Sequence, residues 1–238
     1  QIKLLEIFLK KKKIKFITTR EPGGSKGAEK IRKLILKSNQ NDWSPMTEAL
    51  LHISARSDHL EKKIKPNLKK GIWVICDRFR DSTVAYQGYG NGLKLDVLEM
   101  LQESIFDKLN ADLTIILDTL PNISLSRARK RKNGNQKYEN MGINFHKKVR
   151  KGFIEIAKKA KRKILIQINR ANHRSKLISK THEYIKSINI SAIKTLIGHR
   201  QIFIASMGEG KTVVEKQRKS KAVEEIRKIS EQILLELK

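Results

Sequence analysis

Two arginine–carboxylate pairs in the chain could do chemistry on a phosphate. One is Arg20-Glu21, within Thr19-Arg20-Glu21-Pro22-Gly23-Gly24, and the other is Asp77-Arg78, at the head of a segment running to Gly88. A guanidinium is planar, forked and always charged, so it holds a phosphate through two hydrogen bonds, and a neighbouring carboxylate can orient it or serve a metal. The bland reading is a pair of structural salt bridges at a sheet rim. Arg20 alone favours that reading; both pairs together favour an anion site. A third segment, Ile202 to Thr212, reads as strand, loop and Gly210-Lys211-Thr212, an imitation of a phosphate loop. The imitation is imperfect, because Ala205 stands where the first glycine belongs.

Both pairs follow stretches that read as strands. Ile14 to Thr18 alternates, and Pro22-Gly23-Gly24 ends it; Ile72 to Cys76 is a continuous apolar run, as in a strand buried on both faces. Leu113 to Leu117 and Ile164 to Ile168 read as further strands. Helical spacing covers residues 1–10, 28–37, 46–68, 93–109, 123–130, 144–159 and 176–187, with a polar break at Lys132 to Glu139. Strands alternating with helices predict an α/β fold with a parallel sheet covered on both faces. Ligands of such sheets bind beyond the carboxyl ends of the strands, where both pairs lie.

Composition bounds the alternatives. With 39% hydrophobic residues, the 238-residue chain can build a sizeable core despite 32% charged residues. The apolar runs fall well short of the roughly 20 residues that cross a bilayer, so no membrane association is expected. A lone cysteine, Cys76, excludes a disulfide within the chain and fits a reducing cytoplasm. The formal charge of +28 suggests nucleic acid. The excess is mostly lysine spread along the chain, however, with no basic stripe interleaved with aromatics. A solvated lysine-rich surface explains it, and no nucleic-acid partner is expected.

Three segments make the reading specific. TREPGG (19–24), EALLHISARSDHL (48–60) and DRFRDSTVAYQG (77–88), in this order and spacing, resemble the signature segments of bacterial thymidylate kinases. ADLTIILD, SRARKR and NFHKKVRKGF fit the same family, and the resemblance spans residues 1–190. It implies a P-loop NTPase-like three-layer fold and transfer of the γ-phosphate of ATP to dTMP, giving dTDP for dTTP synthesis, with Mg²⁺. By the same resemblance Arg78 and Arg32 hold the dTMP phosphate, with Arg20 and Glu21 nearby and Asp77 close to the phosphates and metal. No protein metal site beyond this is expected. Arg56 meets the thymine edge, Thr83 and Gln87 complete its recognition, and Tyr86 packs beside the deoxyribose. His52 takes a position that usually carries Phe or Tyr stacked on the base. Arg127, Arg129 and Arg131 occupy the place of the lid that closes over ATP, and Gln136-Lys137-Tyr138-Glu139 replaces the usual Asp-Arg-Phe-Glu. The family implies a homodimer in the cytoplasm.

Two features depart from the family. Its G-x-x-x-x-G-K-[ST] loop, which would precede the helix at residues 1–10, is not in the sequence, and with it the central first strand. The expectation is impaired ATP binding and two strands lacking a neighbour. From Ser191 the chain stops resembling a thymidylate kinase. Residues 191–238 are similar instead to the C-terminal end of ParA-type partition ATPases and finish in an amphipathic helix with Val223, Ile226, Ile229, Ile233 and Leu237 on one face. The alternative function, from a different class, is therefore a basic nucleic-acid-binding or partition-related protein.

Overall fold

The computed structural model describes residues 2–39, 42–106, 109–129, 137–160, 163–171, 176–187, 191–198, 200–208, 212–217 and 219–237. In chain order the elements are α1 (Ile2–Lys11), β1 (Phe16–Arg20), α2 (Lys26–Lys37), α3 (Pro45–His59), a π-helical turn (Leu60–Ile64), α4 (Lys65–Lys69), β2 (Trp73–Asp77), α5 (Arg80–Thr83) and a second π-helical stretch (Val84–Gly90). There follow α6 (Leu95–Phe106), β3 (Thr114–Asp118), α7 (Pro121–Arg129), α8 (Ile143–Lys159), β4 (Ile164–Ala171), α9 (Lys176–Ser187), β5 (Ile197–Gly198), α10 (Gln201–Gly208), α11 (Val213–Lys216) and α12 (Lys221–Glu236). The chain divides into two compact units, Lys15–Asn110 with Leu120–Ile156, and Gln1–Ile14 with Ala111–Thr119 and Ala157–Lys238.

The first unit holds the parallel pair β1–β2, in register from Phe16 opposite Trp73 to Arg20 opposite Asp77. Arg20-Glu21 and Asp77-Arg78 therefore emerge side by side, and the Glu21 N–H donates to the Asp77 carbonyl at 2.9 Å. The chain then turns through a cis Glu21–Pro22 peptide and two glycines with positive φ, 131° at Gly23 and 92° at Gly24. Ser25 caps α2 by accepting from the Ala28 N–H. The single helix expected over 46–68 is instead α3, a π-helical turn and α4. Pro66 has no N–H for the carbonyl one turn back, and the widened turn precedes it. Leu60, Ile64 and Phe106 are buried together, with Val74, Phe79, Ile105 and Leu109 packed around them.

The second unit holds a three-stranded parallel sheet in the order β3-β4-β5. Thr114 lies opposite Ile164 and Asp118 opposite Ile168. The expected helical tail begins with strand pairing: Ile193 N–H donates to the Ile166 carbonyl, Ile166 N–H to the Ser191 carbonyl, and β5 continues the edge. An exposed edge of β4 would leave backbone groups unpaired, and this segment satisfies them. Ile226, Ile229 and Ile233 of α12 are buried with Leu4 of α1, Leu165, Ile193 and Ile197. Each such isoleucine contributes roughly 2 kcal/mol of burial. α1 itself ends in a Schellman motif, with Lys13 at φ 56° and Ile14 N–H on the Leu9 carbonyl. That turn delays β1 by two residues relative to the expected strand.

A further element is corrected. The strand expected from Ile202 is helix α10, because a short apolar run is compatible with either state and no strand pairs with it among the described residues. Thr212 caps α11 in a capping box, accepting from Glu215 N–H while Glu215 Oε2 accepts from Thr212 N–H. Gly210 and Lys211 lie outside the described residues. Among the described residues β2 is bonded to β1 alone and β3 to β4 alone, and no helix is long and apolar enough to cross a membrane.

Candidate active site

Three guanidinium groups gather beyond the carboxyl ends of β1 and β2. Arg20 is 55% exposed and lies 3.3 Å from Glu29, whose carboxylate also accepts the Gly24 N–H at 2.9 Å. That backbone bond, followed by Arg20 and Arg32 against the opposing effect of burial, holds the Glu29 carboxyl below its usual range. Arg32, on α2, donates to the Pro22 carbonyl at 2.8 Å. Burial first, then the charges of Arg20 and Arg78, weaken its hold on its proton, while Glu29 and Asp77 act in the opposite sense. A guanidinium does not deprotonate in a protein, so the shift reflects chiefly its partial burial and, after that, the like charges of Arg20 and Arg78. An anion placed among the three would offset that like charge. Arg78 sits at φ 67°, a left-handed conformation uncommon for a residue with a side chain and concentrated at functional sites. Its guanidinium lies over the Tyr86 ring, 5.1 Å from the centroid.

Beside this exposed cluster is a buried polar network built on α3. Glu48, His52 and Arg56 recur every fourth residue, so they share one helical face. Arg56 is 3% exposed and held at three corners. Its Nε donates to Glu21 Oε2 at 2.6 Å, and its two terminal nitrogens donate to Gln102 at 2.9 Å and Thr83 at 3.0 Å. The Phe79 ring covers it, 5.9 Å from the guanidinium carbon. Glu48 collects Gln87 at 2.9 Å and the Tyr138 hydroxyl at 2.6 Å on one oxygen, and Lys137 at 2.6 Å on the other. Burial acts to raise the Glu48 carboxyl, but these bonds outweigh it and hold the group below the usual range.

His52 Nε2 lies 3.0 Å from the Tyr138 hydroxyl. That hydroxyl gives its one proton to Glu48, so it accepts from His52, which places the imidazole proton on Nε2. Burial, helped by the charge of Arg56, pushes the His52 pKa down to about 4, so the ring is neutral at physiological pH. Tyr86 and Gln87 both lie on the π-helical stretch Val84–Gly90, a geometry frequent at functional sites. Tyr86 meets Tyr138, Phe145 and Phe153 edge to face at 5.3, 6.0 and 6.4 Å. Close approach of α8 makes this cluster possible. A Cβ on Gly152 would lie 2.8 Å from Tyr89 Cβ, so the two elements touch where a larger residue would hold them apart.

A cluster of three arginines next to a buried network of hydrogen-bonding groups suits a nucleotide with one phosphate and one base. The comparisons with known proteins agree. The family model for thymidylate kinase matches residues 1–180. The chain belongs to the thymidylate kinase family. It is 45% identical over 143 residues to the thymidylate kinase of Caulobacter vibrioides, covering 60% of this chain and 68% of that one. It is 42% identical over 172 residues to that of Geotalea daltonii, covering 70% and 80%. The crystal structure of thymidylate kinase from Ehrlichia chaffeensis superimposes with a TM-score of 0.57 at 29% identity, over 78% of this chain and 87% of that one. The fold is thus the P-loop NTPase fold of this family, and the family is one of phosphotransferases with ATP as the phosphate donor.

The thymidylate kinase signature residues fall into two groups. Arg20, Arg32, Asp77 and Arg78 come together at the strand ends, and Arg56, Thr83, Gln87 and His52 line the buried network. Glu21 differs from the expectation: at 4% exposure its carboxylate faces Arg56 and His59 rather than the arginine cluster. Arg127 and Arg129 end α7, whose final side chains, like Arg131 altogether, lie outside the described residues. Sequence reasoning missed Glu48, His59, Gln102 and the positive role of Lys137-Tyr138. For Glu48 a signal existed, a carboxylate on the helical face of His52 and Arg56. Glu21, His59 and Cys76 also place a carboxylate oxygen, an imidazole nitrogen and a thiol within 4.8 Å of one another. Burial raises the Cys76 thiol far above its ordinary range, and Glu21 and His59 are hydrogen-bonded to each other.

Proposed function

We propose that this chain phosphorylates dTMP at the expense of ATP, the reaction of the thymidylate kinase family, with the acceptor bound at the site just described. The observation that carries the reading is the juxtaposition of Arg20, Arg32 and Arg78 with the buried Arg56–Thr83 pair. The acceptor phosphate takes the place among the three arginines, chiefly on Arg32 and Arg78. Arg56, with Thr83 and Gln87, meets the polar edge of thymine, and His52, neutral and flat, faces the ring. Tyr86, fixed by its aromatic neighbours, packs beside the sugar. Phosphoryl transfer needs little covalent help from the protein; it needs alignment and compensation of charge, which fixed arginines supply.

Mg²⁺ suits this site chemically, since Asp77 is an exposed carboxylate at the end of β2 and hard cations take oxygen ligands. When bound, the ion neutralises charge on the transferred phosphoryl group, and Asp77 would hold it. Arg127, Arg129 and Arg131 are assigned to the lid. Residues 1–190 carry the kinase sequence and residues 191–238 a segment that folds into the second compact unit, and we place the protein in the cytoplasm as a homodimer.

Calorimetric titration with dTMP and with thymidine, which lacks the phosphate, tests the division of labour. Arg32→Ala and Arg78→Ala should each weaken dTMP at least about tenfold while thymidine changes by less than about twofold. Equal losses for both ligands would refute the phosphate assignment.

A further inference from the structure

The roles assigned above leave His59 without one, although it is fully buried beside the base-binding network. We infer that His59 is a positioning residue for acceptor-base recognition, acting on Arg56 through the carboxylate of Glu21. The inference rests on the reading that Arg56 meets the thymine edge.

The groups form a linear chain. Thr19 Oγ1 lies 2.7 Å from His59 Nε2, His59 Nδ1 lies 3.2 Å from Glu21 Oε1, and Glu21 Oε2 accepts from Arg56 Nε at 2.6 Å. An ionised carboxylate only accepts, so Nδ1 carries the imidazole proton and Nε2 accepts from the Thr19 hydroxyl. Every donor therefore points toward Glu21, from His59 on one side and Arg56 on the other. The last torsion of a glutamate is broad, so a carboxylate bonded to one partner can turn about it. His59 occupies the oxygen that Arg56 Nε does not use. It thereby fixes the carboxylate plane, and with it the plane of the guanidinium.

Two further observations indicate that the arrangement is held rather than incidental. Gln102 turns its carbonyl to Arg56 and leaves its buried Nε2 with no hydrogen-bond partner among the described residues. The reverse orientation would set donor against donor, so the grip on Arg56 decides the amide's direction. The turn after β1 is also shaped around the pair: a Cβ on Gly24 would lie 2.3 Å from His59 Nε2 and 2.6 Å from Thr19 Oγ1. Only glycine, at φ 92°, lets the chain pass there. A guanidinium gripped at three corners keeps its remaining N–H donors in a fixed direction, and such preorganisation gives affinity without new contacts.

Calorimetric titration of the full chain with dTMP and with 2-deoxyribose 5-phosphate, which has no base, tests the inference. His59→Leu keeps much of the apolar volume and removes the bond to Glu21. It should weaken dTMP about tenfold and leave 2-deoxyribose 5-phosphate within about twofold. His59→Asn, whose amide nitrogen can replace Nδ1, should recover most of the loss. Thr19→Val removes only the outermost hydroxyl and should give a smaller loss of the same kind; it carries the test if the leucine variant does not fold. Equal weakening of both ligands, or no recovery with asparagine, would overturn the inference and leave His59 a structural residue. Arg56→Ala separates the two levels. If it leaves dTMP affinity intact, the reading of Arg56 fails; if it abolishes base selectivity while His59→Leu does not, the inference alone fails.

Discussion

At the residue scale, the neutral state of His52 is a consequence of burial with a sign that can be worked out. The folded chain protonates His52 only near pH 4, whereas the unfolded chain does so near the ordinary value of 6.5. Between those values the unfolded state binds more protons, so stability from this group is present above pH 6.5 and lost as the pH falls toward 4. Urea denaturation at stepped pH should show the wild-type midpoint falling more steeply over that interval than the midpoint of His52→Phe. Parallel curves would contradict the assignment. Legibility at this scale followed chemistry. Arg20 and Arg78 could be found in the sequence because phosphate recognition favours arginine at strand ends, whereas Arg32, inside α2, was named only through the family resemblance. Glu48 carried only one signal, its place on the helical face of His52 and Arg56, and its partners Lys137 and Tyr138, the latter 90 positions away, are seen only in the fold.

The elements matter through the contacts that fasten them together. Glu48 on α3 holds the segment at Lys137 and Tyr138 with a buried ion pair, both side chains below a tenth exposed. Glu48→Gln leaves the Lys137 ammonium buried without its carboxylate and should cost about 3 kcal/mol. Adding Lys137→Met should restore part of the loss in a double-mutant cycle on thermal unfolding; strict additivity would show that the pair is not coupled. Gly152 in α8 gives a second case in which two effects compete. Alanine is about 1 kcal/mol better than glycine in a helix, but its Cβ would lie 2.8 Å from Tyr89 Cβ, an atom that cannot swing away. Overpacking of that kind costs about 1–3 kcal/mol, so Gly152→Ala should lower the melting temperature rather than raise it. Periodicity alone found β2, β3, β4 and most helices to within a few residues. It could not foresee the π-helical stretch Val84–Gly90, whose irregularity has no periodic signature, nor choose helix over strand at Gln201–Gly208, where a short apolar run suits both.

For the whole molecule, membership of the thymidylate kinase family was legible because three signature segments keep their order and spacing across the first unit, and their residues converge on β1, α2, α3 and β2. How residues 191–198 extend the β4 edge was not legible, since strand pairing over such short stretches is decided by the backbone groups left open on the neighbouring strand rather than by side-chain pattern. The net charge of +28 gives the protein a general attraction for anions that salt screens, whereas selectivity between bases is the property we assign to the buried network. Selectivity therefore tests the account better than affinity. The decisive measurement is calorimetric titration of the chain at physiological salt with dTMP, against dUMP, dCMP and AMP. The account predicts saturable binding of dTMP at least about tenfold tighter than that of dCMP or AMP, with dUMP between. A folded chain that binds all four alike would show that charge alone attracts them and would contradict a thymidylate acceptor site.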